Sequence, residues 1–127
     1  MSNLELAQEW FRVAEMDLAS AIFLQNMKPV PVEIIGYHCQ QAAEKFLKGY
    51  LAFHGEAIRK THDLVLLNKL CQVHESEFKQ IENACLNLTD YGVHIRYPFP
   101  LDVDEADLAF ALKSTSQIKD LVLQKCS

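Results

Sequence analysis

Apolar residues return every third or fourth position over stretches too long to be strands. Between Leu4 and Gln25 they are Leu6, Trp10, Val13, Ala14, Leu18, Ala21, Ile22 and Leu24, the period of a helix with one buried face. A second stretch, from Val32 to His54, places Ile35, Cys39, Ala42, Ala43, Phe46, Leu47, Tyr50 and Leu51 on one broad stripe. Pro29 and Pro31 divide the two stretches, and Gly55 stands where a helix C′ residue is expected. At ~1.5 Å per residue each helix is about 33 Å long, the full height of a small bundle.

Shorter periods follow. Thr61 is predicted to cap a helix over 62–73 that turns Leu64, Leu67, Leu70 and Cys71 inward. From Ser76 another helix uses Phe78, Ile81, Ala84, Cys85 and Leu88 and reaches on through Asp90 to Ile95, until Pro98 and Pro100 stop it. Asp102 or Asp104 caps the last helix, whose core side is Leu108, Ala111, Leu112, Thr115, Ile118 and Val122, and Asn3 caps the first. No stretch alternates with period two, and only 4 Gly and 4 Pro are present, too few for the turns of an all-β chain. The expectation is an all-α fold, an antiparallel up-and-down four-helix bundle with a short fifth helix, formed by one domain over residues 1–127.

A formal charge of −5 excludes broad, sequence-independent nucleic-acid binding, which needs many Lys and Arg contacts to phosphate, but leaves room for a local basic patch. Cys39, Cys71, Cys85 and Cys126 are far apart with no CxxC pair, which reads as free thiols in a reducing cytoplasm. The first residues lack a basic and apolar leader, and no apolar run approaches the ~20 residues of a membrane span, so a cytoplasmic protein is expected. His38, His54, His62, His74 and His94 have no metal-ligand spacing. No metal and no cofactor are expected.

The densest polar cluster lies on helix two and the turn after it: His38, Gln41, Lys45, Lys48, Arg59, Lys60, His62 and Asp63. Four of the 12 basic residues fall between Lys45 and Lys60. If the loop folds beside the helix, these groups form an anion-binding surface for a phosphate. The plainer reading is a solvated helix face, with Glu44 and Glu56 cancelling part of the charge. His62 beside Asp63 fits either a general base or a capping turn. In YGVHIRYP, Arg96 suits a phosphate or carboxylate bidentately and Tyr97 suits stacking, while pairing of Arg96 with Asp90 or Asp102 to hold the turn is the alternative. Asp17 interrupts an otherwise apolar face and reads as a boundary position.

QEWFRVAEMDLASA in helix one, YHCQQAAEKFLKGYLAFHG in helix two, RKTHDL after it and RYP later in the chain together resemble the HEPN family. The resemblance spans nearly the whole chain. It implies a helical bundle, a homodimer, and partnership with a minimal nucleotidyltransferase in a two-gene, toxin–antitoxin-like system. Some members are metal-independent ribonucleases marked by an Arg, four to six intervening residues and a His. Neither Arg12, Arg59 nor Arg96 is followed by a His in that window. The resemblance therefore implies a non-catalytic module that binds a nucleotide or nucleic-acid phosphate, with Gln41, Lys45, Lys48, His62, Asp63, Arg96 and Tyr97 as candidate ligand-binding residues. The rival readings are a ribonuclease using His62 or His94 with Arg96, and a purely structural oligomeric adaptor.

Overall fold

A computed structural model describes residues 1–89, 91 and 104–127. Among them are five α-helices and no strand: α1 (Asn3–Leu24), α2 (Val32–Phe53), α3 (Leu64–His74), α4 (Glu82–Leu88) and α5 (Glu105–Lys125), with a 3-10 turn at Ser76–Ile81 leading into α4. The long members are α1, α2 and α5, and the short ones are α3 and α4. Of the stretch expected to carry helix four from Asp90 to Ile95, residues 90 and 92–95, with His94, lie outside the described residues, as do Arg96, Tyr97 and Asp102.

Helix ends follow side-chain chemistry. Ser2, not Asn3, caps α1, and it does so with a full capping box: Glu5 N–H donates to Ser2 Oγ, and the Glu5 carboxylate accepts from Ser2 N–H. Of the two aspartates expected at α5, Asp104 falls among the described residues and caps it through the same reciprocal pair with Asp107. Gly55 stands at C′ of α2 as expected, at φ 76°. Gly55 N–H bonds the Ala52 carbonyl and Glu56 N–H bonds the Leu51 carbonyl, the Schellman pattern, and the left-handed φ explains why glycine is there.

Helix α2 is the axis of the molecule. Nearly every residue from Ile35 to Leu51 is buried or half-buried. Its apolar stripe joins Ala14, Leu18 and Ala21 of α1, Leu64, Leu67 and Cys71 of α3, Phe78 and Ile81 of the 3-10 turn, Cys85 and Leu88 of α4, and Leu108, Ala111, Ile118 and Val122 of α5 in one core. Helices α1 and α2 are antiparallel, as Asp17 meets His38 while Trp10 and Phe11 meet Gly49. At Gly49 the helices touch so closely that an added Cβ would sit 2.4 Å from Phe11 Cε1, so the absence of a side chain permits the approach.

Residues 55–63 turn back along α2 instead of leaving it. His62 therefore lies beside Gln40 and Glu44. Helix α3 then runs in the same sense as α2, its Cys71 near the Leu47 carbonyl and its His74 stacked on His54. This return brings the loop to the polar face of α2.

Candidate functional site

The polar stripe of α2 is not a solvated face. Glu44 is 4% exposed and Lys48 is 8% exposed, because Trp10 of α1 and the returning loop cover them. Glu44 and Lys48 are one helical turn apart, and the ammonium donates to Glu44 Oε2 at 3.1 Å. The other carboxylate oxygen, Oε1, accepts from His62 Nδ1 at 2.8 Å. Gln40 completes the joint by donating from Nε2 to the His62 carbonyl at 3.3 Å, and it accepts on Oε1 from Gln41 Nε2 at 2.8 Å. A buried carboxylate thus fixes one residue of its own helix and one of the loop. The burial is tolerable because both oxygens are hydrogen-bonded and the charge is paired.

Nearer the start of α2 stands a second carboxylate. Asp17 of α1 accepts from His38 Nδ1 on Oδ1 at 3.0 Å and from Lys45 Nζ on Oδ2 at 2.5 Å. Its side chain is 14% exposed, that of His38 27% and that of Lys45 21%, so this centre is open to a partner where Lys48 is not. Asp17 sits on the α1 face because its partners on α2 demand it.

The structure brings Gln41, Lys48 and His62 into one network and links Lys45 to the Asp17 centre of the same strip. Asp63 takes a different part. Its Oδ1 accepts from Leu66 N–H at 3.1 Å, which makes it the N-cap of α3 in place of the expected Thr61. Thr61 Oγ1 accepts instead from Asp63 N–H at 3.1 Å, stiffening the turn that carries His62. Residue 61 is off by two because both Thr and Asp are good caps and periodicity cannot choose between them. Glu44, Gln40, Asp17 and His38 join the strip beyond the ligand-binding residues expected from sequence.

Two electrostatic features frame the strip. Lys48 Nζ lies 5.8 Å from the centre of the Trp10 ring, a cation–π arrangement, and the buried Trp10 indole N–H has no hydrogen-bond partner among the described residues. Arg59 and Lys60 are exposed on the loop immediately before His62 and add positive charge at its mouth. The cysteines take no part in chemistry here. All four are free thiols, and burial raises Cys39 and Cys126 to about 11 and Cys85 to about 12, far from thiolate formation at neutral pH. Among the described residues no group of three or more His, Cys, Asp or Glu is placed to hold a metal, and no helix is long and apolar enough to cross a membrane.

Comparison with known proteins bears on the fold and the family. No curated protein matches the chain. A solved structure titled as the crystal structure of ST0689, an archaeal HEPN homologue, is similar at 22% identity with a TM-score of 0.75, over 95% of this chain and 98% of that one. At that identity the likeness speaks for the fold alone. The model of the HEPN domain family matches residues 7–125, all but the ends of the sequence, and the chain therefore belongs to the HEPN domain family.

Proposed function

We propose that this chain is a non-catalytic binding module that receives a nucleotide or nucleic-acid phosphate on the α2 strip and works as a homodimer with a minimal nucleotidyltransferase in the cytoplasm, within a toxin–antitoxin-like two-gene system. The observation that carries the phosphate part is the buried Glu44 carboxylate, which fixes Lys48 and His62 at the mouth of a loop bearing exposed Arg59 and Lys60. Lys45 and Gln41 extend the strip, and Arg96 and Tyr97, outside the described residues, are candidate ligand-binding residues from their sequence pattern alone. Lys48 acts from beneath, as a fixed compensating charge; His62, Arg59 and Lys60 make the contact. Membership of the HEPN family favours a nucleotide- or RNA-related ligand. Exposed Met16, Phe23 and Met27 on the outer side of α1 and its end supply apolar area for a protein partner.

The test is isothermal titration of the protein with a nucleoside triphosphate and with a short oligoribonucleotide, alone and after co-expression with a minimal nucleotidyltransferase. Binding is expected with at least one probe. It should weaken with rising salt, as phosphate contacts do. The single tryptophan, Trp10, under Lys48, gives a fluorescence readout of the same event. Absence of heat in every titration, together with failure of the two proteins to co-purify, sinks the proposal.

A further inference from the structure

The two carboxylate centres on the strip are built alike. In each, one oxygen holds an imidazole by Nδ1 and the other holds a lysine ammonium: Asp17 with His38 and Lys45, Glu44 with His62 and Lys48. We propose that they are two stations for one ligand carrying two phosphate groups along a chain, and that binding loads a proton onto each imidazole. This rests on the phosphate-binding reading above and adds to it a second station, a ligand class and a linkage to pH.

Charge counting leads there. With a neutral imidazole each centre sums to zero, the carboxylate cancelling the ammonium, and a neutral centre has little pull on a phosphate. A neutral imidazole donating from Nδ1 carries its lone pair on Nε2. A proton there gives each station a net positive charge and a donor for the phosphate oxygen, with the carboxylate steadying the imidazolium from behind. The phosphate supplies the second stabilising charge, so its arrival draws the proton in. In its own loop His62 has Arg59, Lys60 and Asp63 as charged sequence neighbours, and His38 has the Tyr37 ring beside it at 5.9 Å. His38 and Glu44, which holds His62, are six residues apart on one helix, about 9 Å along its axis at ~1.5 Å per residue. Gln41, between His38 and Glu44 in the helix, donates to Gln40 Oε1 and is a neutral neighbour of both centres.

Nucleotide polyphosphates and single-stranded nucleic acid share this chemistry, and titration separates them. Adenosine triphosphate, a six-nucleotide single-stranded RNA and inorganic phosphate are titrated into the whole protein at neutral pH, in two buffers of different ionisation enthalpy. Uptake of about two protons per chain is expected with one of the two larger probes, falling by about half in His38→Gln and in His62→Gln. Inorganic phosphate should bind at least tenfold more weakly. On the unmodified protein, NMR should show the His38 and His62 ring signals moving toward imidazolium on binding while those of His54 and His74 stay. Tight binding without proton uptake, or uptake unchanged in His38→Gln, overturns the two-station proposal and leaves phosphate binding standing; no binding by any probe overturns both.

Discussion

The four described histidines occupy two opposed kinds of surroundings. On the α2 strip, His38 and His62 each face a carboxylate. At the far end of α2, His54 and His74 face one another, rings 4.2 Å apart and within 16° of parallel, with Tyr50 at 4.6 Å from His54 and Glu56 at 3.6 Å from His74. The first kind sets a carboxylate oxygen against Nδ1 of each ring. The second disfavours a positive charge on His54: burial lowers its pKa below the ordinary 6.5, and the neighbouring His74 lowers it further, against the smaller opposing pull of Glu56. Neighbours, and not residue type, decide whether an imidazole here meets a carboxylate or a second ring.

The sharpest way to break this contrast is to remove the deeper carboxylate. Glu44→Gln strands the Lys48 ammonium under Trp10 and the loop, and a loss of about 3–5 kcal/mol in urea unfolding is expected. Adding Lys48→Met should recover most of it; a loss under about 1 kcal/mol for Glu44→Gln alone means that the pair is solvated. Asp17→Asn tests the more open centre. Its partners keep contact with water, so about 1–2 kcal/mol is expected in the same assay, and a cost equal to that of Glu44→Gln would erase the distinction between the two stations.

Asp63→Ala removes the cap of α3 without touching either carboxylate. About 1 kcal/mol should be lost, and amide exchange should quicken first at Leu66, whose N–H loses its acceptor. The smallest effect belongs to the stacked pair. Because the His54 pKa is lower folded than unfolded, the unfolded chain binds more protons as pH falls below 6.5. Stability is thus greatest above that pH and declines through the interval down to the lowered folded value. His54→Gln should flatten this acid decline in urea curves at pH 7.5 and 5.5; an unchanged slope would remove His54 from the account.

Much of this was legible from residue spacing. The stripes of α1, α2 and α5 lay where the apolar period put them, and the HEPN resemblance resting on the helix-two string was sound. What spacing could not supply is the path of the chain between helices. Glu44 sits on the polar side of its helix, and only the return of the loop makes that side an interior. Asp17 finds its partners 21 and 28 residues away, a pairing set by the packing of α1 on α2 and invisible to a local period. The cap of α3 is the reverse case, since it is local and Thr61, two residues before Asp63, offers the same chemistry.

The returning loop behaves as a strap. From the level of His54 back to Glu44 it must cover ten helical residues, about 15 Å. Its nine residues, 55–63, could reach about 30 Å if drawn out, so tension does not set its course. It lies where it does because the buckle at Glu44 and Gln40 is fastened, and whatever competes for that buckle decides whether the slack is released.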